Sequence, residues 1–308
     1  SALTKIALPF DEVVTGAGDD AAVLRQSNGT FQVISTDHLR SLIDDPALMT
    51  RIAAVHALGD VWAMGAQPQV GLASIVVPQM SADLQARTLT EITQVATEVL
   101  SAAGAQLVGG HTTMGAELTI GFTVTGRKDT MPLTVSGAQP GDVLILTRPI
   151  GSGVILAADM EGHAHGRFVA AVLAIMGQAQ DREAAVLAPV AHAMTDVTGF
   201  GLAGHVKAIC EASGLDAELW QAAIPIYAGA QALSDAGVAS TLMLVNRTDA
   251  PIEGGADALL YDPQTAGGLL AAVPAKQSVA VIDALCAAGC MGHVIGQLTK
   301  GNGHVGLR

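Results

Sequence analysis

Four aspartates each stand in a small, glycine- or threonine-flanked motif, and they restrict what this chain can fold into more than any other feature. Asp20 lies in Gly18-Asp19-Asp20-Ala21-Ala22-Val23 and Asp37 in Ser35-Thr36-Asp37. Asp60 lies in Leu58-Gly59-Asp60-Val61-Trp62-Ala63-Met64-Gly65, and Asp196 in Met194-Thr195-Asp196-Val197-Thr198-Gly199-Phe200-Gly201. Three of them follow or interrupt apolar runs, and burying a carboxylate without a counter-charge is costly. A fold that accepts all four must supply such a charge. Hard divalent cations prefer carboxylate oxygens and commonly bridge to phosphates, so the pattern points to metal-dependent nucleotide chemistry.

The chain has 308 residues, half of them apolar, enough for two domains with substantial cores. No apolar run reaches the length of a bilayer span, and neither end reads as a signal peptide. A cytoplasmic protein with no membrane partner is expected. The formal net charge of -13 argues against a nucleic-acid partner, which needs basic surface. The same charge repels a polyphosphate until metal ions reverse the sign. Most surface carboxylates need no explanation beyond solubility; the metal reading is kept for the four motif aspartates. Three cysteines, Cys210, Cys286 and Cys290, fit a reducing compartment without a disulfide framework. Cys286 and Cys290 have no further ligands near them in sequence, and His163 and His165 read as a solvated loop, so neither pair is taken as a metal site.

Phe31–Thr36, Val70–Val77 and Glu117–Thr125 read as strands. Between the first two, Asp45 is a candidate N-cap and Pro46 suits the first turn of a helix that stops at Gly65. A second helix is expected from Ala82 to Ala103. Arg127–Gly141 is a polar, Pro- and Gly-containing stretch, and the domain boundary is placed within it, giving domains 1–136 and 137–308. The second half should begin with a strand at Asp142–Thr147. Helices should follow near Phe168–Met176, Ala184–Met194, Leu202–Ala212 and Gln277–Ala288, with late strands at Gly268–Val273, Val294–Leu298 and near Val305. Strands and helices mix without a regular βαβ alternation, which favours an α+β fold over a doubly wound sheet.

Asp60 falls in the last turns of the first helix, with His56 one turn earlier on the same face. Asp60 either pairs with His56 or caps a neighbour, or it faces a cleft and holds metal; the second reading is favoured. Gly109-Gly110-His111-Thr112 follows a short strand, Gln106–Val108. Paired glycines let amides approach an anion, although an ordinary turn fits as well. Thr195-Asp196 precedes a helix starting near Leu202, which places amides, a hydroxyl and a carboxylate at a helix N-terminus. There is no G-x-x-x-x-G-K-[ST] loop, so ATP would be handled by carboxylates and metal. Tyr261-Asp262-Pro263-Gln264-Thr265-Ala266-Gly267-Gly268 reads only as a tight turn into a strand.

Taken together, these motifs resemble the selenophosphate synthetase (selenide, water dikinase) family, within the superfamily that includes aminoimidazole ribonucleotide synthetase. GDDAAVL and STD through LGDVWAMGA would also fit thiamine-monophosphate kinases. MTDVTGFGLAGH and DPQTAGGLL separate the two, and LTRPIGSGVI agrees. The resemblance implies a two-domain α+β fold and a homodimer whose N-terminal domains pair their sheets. It implies ATP held through magnesium ions, with Asp20, Asp37, Asp60 and Asp196 as metal and phosphate ligands. Asp19, Thr36, Gly109, Gly110, His111, Thr112 and Thr195 should line the nucleotide site. The implied reaction converts ATP, selenide and water to selenophosphate, AMP and phosphate, with selenide as the small-molecule partner.

Two departures qualify the resemblance. The family carries a glycine-rich N-terminal segment with a catalytic cysteine or selenocysteine and then a lysine. Here the first cysteine is Cys210, and Lys5 has no glycines around it. The catalytic residues are therefore left unassigned. The full reaction is expected to be incomplete in this chain, and a fused or preceding oxidoreductase domain is a possible partner. His56 replaces the asparagine usual on that helix. A thiamine-phosphate kinase-like enzyme and a non-catalytic nucleotide-binding subunit remain the alternatives.

Overall fold

The computed structural model describes residues 10–255 and 257–308, so Lys5 lies outside the described residues. The chain divides into two compact units. One runs to Pro132 and takes in Gly177–Ala179; the other comprises Leu133–Met176 and Gln180–Arg308.

In the first unit the elements are β1 (Val13–Thr15), β2 (Ala22–Arg25), β3 (Phe31–Arg40), α1 (Pro46–Ala63), β4 (Gln67–Pro78), α2 (Ala82–Ala102), β5 (Gln106–Gly115) and β6 (Thr119–Lys128). The strands form one sheet in the order β1-β2-β3-β6-β4-β5. Only β4 and β5 run parallel, because α2 carries the chain back across the sheet between them. The helix α1 starts as its sequence dictates. The Asp45 carboxylate accepts from the Leu48 amide at 3.0 Å and Pro46 occupies the first turn. At its far end Gly65 takes a left-handed φ of +61°, and the Lys128 ammonium donates to the Gly65 carbonyl at 2.9 Å. Ile52, Val55, Leu58, Val61 and Trp62 of α1 are buried.

The second unit holds β7 (Asp142–Leu146), α3 (Ser152–Met160), α4 (Gly166–Met176), α5 (Asp181–Leu187), β8 (Ala193–Asp196), α6 (Gly201–Ser213) and β9 (Leu215–Leu219). It continues with α7 (Ala230–Asp235), α8 (Met243–Asp249), β10 (Leu269–Pro274), α9 (Ser278–Ala287), β11 (His293–Lys300) and β12 (Val305–Leu307). Its sheet has the order β12-β9-β11-β7-β10-β8. Every residue of β7 is buried, as expected of an inner strand.

Three expectations change. The strand read as Phe31–Thr36 continues to Arg40, so Asp37 sits inside β3 rather than at its end. The glycines 109 and 110 lie within β5, which runs on to Gly115. The helix expected over Ala184–Met194 stops at Leu187, because Pro189 restricts Ala188 and cannot continue the helix ladder. The residues from Ala193 pair instead with β10. Among the described residues no helix is long and apolar enough to cross a membrane.

Candidate metal and nucleotide site

The period of two along β3 decides which of its polar groups meet α1. Phe31 and Val33 are buried, and Ser35 and Asp37 continue that inward row, while Thr36, His38 and Arg40 are exposed on the outer row. In α1, His56 and Asp60 are one turn apart. The Ser35 hydroxyl donates to Asp60 Oδ2. The Asp37 charge acts on His56; burial pushes that imidazole below its ordinary value, and Asp37 pulls it back. Two residues advance about 6.6 Å along a strand, and four advance about 6 Å along a helix. The steps match, so Ser35–Asp60 and Asp37–His56 form side by side.

Asp20 enters from the turn between β1 and β2. One of its carboxylate oxygens lies within 4.8 Å of one of Asp60. The Ser35 hydroxyl also stands 3.5 Å from the Asp20 carbonyl. Asp19 holds this turn, its Oδ1 accepting from the Asp20 amide at 3.0 Å. Two unit charges at that spacing repel by on the order of 3 kcal/mol at an effective dielectric of about 20, and a shared cation turns the repulsion into attraction. The groups gathered here are carboxylates, a hydroxyl and a main-chain carbonyl. Such hard oxygen donors fit magnesium and do not favour a thiophilic metal.

Thr36 and the β5 residues are not brought to this corner. Thr36 Oγ1 shares a hydrogen bond of 2.9 Å with Thr123 Oγ1 on the outer face. In the sheet β6 and β4 lie between β3 and β5, three strand spacings of about 4.8 Å each. The glycine pair has a packing reason of its own. The register with β4 slips at Val108, leaving Leu107 opposite Gly71 and Gly109 opposite Leu72. A Cβ on Gly110 would come within 2.1 Å of the Ala73 carbonyl oxygen. His111 and Thr112 are exposed on this edge strand.

In the second unit, Thr195 and Asp196 end β8 and are almost wholly buried. The turn that follows is held by the segment Asp262–Gly268. The Val197 amide donates to the Gly268 carbonyl at 2.8 Å, and the Gln264 amide to the Thr198 carbonyl at 3.0 Å. The approach is so close that a Cβ on Gly267 would lie 1.9 Å from the Val197 carbonyl oxygen. The side chains of the same segment cap α3. Gln264 Oε1 accepts from the Gly151 and Ser152 amides and from the Ser152 hydroxyl. Asp262 Oδ2 accepts from the Gly153 amide at 2.9 Å. Burial pushes the Asp262 carboxyl up to about 7 against the hydrogen bonds that favour its charged form. His205, on α6, reaches back to the Asp196 turn. Its Nε2 accepts from the Thr198 amide at 3.0 Å and its Nδ1 lies 3.2 Å from Thr195 Oγ1. Desolvation lowers it to about 4, so the ring is neutral near pH 7.

Ser35, His205, Asp262 and Gln264 are working residues that the sequence alone does not assign. Ser35 was within reach, since it sits two positions before Asp37 on one strand face. Nothing local to His205 announces its bonds, which depend on how α6 turns back toward β8.

Residues 18–128 match the AIR synthase related protein N-terminal domain, and residues 139–307 the AIR synthase related protein C-terminal domain. Among solved structures, thiamine-monophosphate kinase from Stenotrophomonas maltophilia K279a aligns with a TM-score of 0.73 at 22% identity, covering 99% of this chain and 93% of that one. The AaThiL complex with AMPPCP and TMP aligns with a TM-score of 0.70 at 18% identity, covering 94% and 87%. These likenesses establish the fold. The sequence is closer to selenide, water dikinase of Myxococcus xanthus (strain DK1622), with 36% identity over 295 residues, 92% of this chain and 83% of that protein. Identity at that level over most of both chains, on two AIR synthase-related domains, places this chain in the selenide, water dikinase family.

Proposed function

We propose that this chain supplies the ATP- and metal-binding core of selenide, water dikinase chemistry, which turns ATP, selenide and water into selenophosphate, AMP and phosphate, and that its own residues leave the full reaction incomplete. The identity to selenide, water dikinase over most of the chain carries the reaction, and the close Asp20–Asp60 carboxylate pair with Ser35 beside it carries its metal-dependent ATP step. We further propose Asp20, Asp37, Asp60 and Asp196 as magnesium ligands, with Asp19 and Thr195 supporting the turns that hold them. Bound magnesium supplies charge neutralisation of the phosphates and orients an in-line displacement. The protein's own share is positional. Ser35 fixes the Asp60 carboxylate, and the Asp262–Gly268 segment fixes the turn after Asp196. A fold neighbour bound to AMPPCP supports ATP as the nucleotide. Thr36 and Gly109–Thr112 remain proposed nucleotide contacts.

The resemblance implies a catalytic cysteine that handles selenide, and Cys210 does not suit that role. The residue is fully buried, and desolvation pushes its thiol up to about 12. The resemblance puts the catalytic cysteine in a glycine-rich N-terminal segment, and a fused or preceding oxidoreductase domain is a proposed partner. The partner proposed for the fold itself is a second copy of this chain. The outer face of the first sheet exposes Leu72, and β5, an unpaired edge within the described sheet, exposes Val108 and Met114 along that edge.

Calorimetric titration of ATP with and without magnesium tests the site. Binding should require magnesium and should weaken at least tenfold in Asp60→Asn; equal binding by that variant sinks the reading. Product analysis separates the rivals. Selenide-dependent AMP supports the dikinase, and ADP alone supports the thiamine-phosphate kinase-like alternative.

A further inference from the structure

Among the described residues, His205 is a buried group whose bonding the proposed chemistry leaves unused. It is 6% exposed and sits in the second turn of α6. A ring nitrogen that accepts a main-chain N–H carries no proton of its own. Nε2 accepts from the Thr198 amide at 3.0 Å, so the neutral ring holds its proton on Nδ1. Nδ1 then donates to Thr195 Oγ1 at 3.2 Å, and the Thr195 hydroxyl is left to donate to the Asp196 carbonyl at 3.2 Å. The two nitrogens thus grip the chain on both sides of Asp196. One holds the residue before it and the other the second residue after it.

We propose that His205 is a positioning residue, locked as the Nδ1–H tautomer between Thr195 and Thr198, that sets the turn carrying Asp196 and so tunes magnesium-dependent ATP binding. The inference rests on the proposed role of Asp196. Groups that orient metal ligands typically govern metal affinity by about 10- to 100-fold when removed. Asparagine places an amide nitrogen near the Nδ1 position, and glutamine places a carbonyl oxygen near the Nε2 position. Each conservative variant therefore keeps one of the two bonds, and leucine keeps neither.

The test measures the magnesium chloride concentration that half-saturates ATP binding in the parent, His205→Asn, His205→Gln and His205→Leu. Ile209→Val, a core trim on the same helix, serves as the control for stability loss. The leucine variant should need about 10- to 100-fold more magnesium. The asparagine and glutamine variants should fall between it and the parent, and Ile209→Val should lower the melting temperature without moving the magnesium requirement. Nitrogen-15 NMR of labelled histidine should show the proton on Nδ1. A proton found on Nε2 overturns the inference. So does an unchanged magnesium requirement in every folded His205 variant while Asp60→Asn remains impaired, and in that case the functional reading stands. A parent that binds no ATP with magnesium overturns the functional reading and this inference together.

Discussion

At the scale of single residues, Asp262 shows how a carboxylate can serve the fold while costing it stability. Its ordinary value is about 3.9, and burial raises it to about 7 in the folded chain. Between those values the folded state holds a proton that the unfolded state has released. Stability attributable to Asp262 is therefore full below about pH 4, falls as pH rises, and levels off above about pH 7. The slope is at most about 1.4 kcal/mol per pH unit. Asp262→Asn should flatten it, so the variant's melting temperature should gain on the parent's from pH 5 to pH 8. A difference that stays constant across that range refutes this account. The segment was legible as a tight junction from its Asp-Pro and Gly-Gly pairs. Its reasons were not, because the Val197 carbonyl that excludes a Cβ at Gly267 is remote in sequence.

At the scale of elements, much was readable because the signals are local. The Asp45 cap, Pro46 and the apolar spacing announced α1 within a few residues of its observed start. Asp45→Ala should cost about 1 kcal/mol, measured as a lower urea midpoint with an unchanged denaturant slope. A loss below a few tenths of a kcal/mol would show that tertiary packing alone holds the first turn. The sequence signal for β3 ends at Thr36, short of Arg40, and so short a strand hides its parity. Once the strand runs to Arg40, its period of two separates Ser35 and Asp37 from Thr36. For the same reason Thr36 faces Thr123 on the outer row. The glycines of β5 looked like a turn because a bulge and a turn call for the same residue; only pairing with β4 tells them apart.

At the scale of the whole molecule, the open outer face of the first sheet is the feature with the widest consequence. If a second copy covers it, Leu72→Glu should shift sedimentation from dimer to monomer. The melting temperature extrapolated to low protein concentration should hold, since Leu72 is 45% exposed in the single chain. A parent that sediments as a monomer at every concentration removes the dimer proposal. The sequence by itself determined the α+β class, most helix starts and strand centres, and the motifs that mark the family. Those depend on periodicity, caps and breakers acting over a few residues. Tertiary structure decided that Ser35 supports Asp60, that Gly110 and Gly267 answer to neighbouring carbonyls, and that His205 holds the turn around Asp196. Each of these is a distance between atoms far apart along the chain, and no local preference encodes such a distance until the sheets and helices have packed.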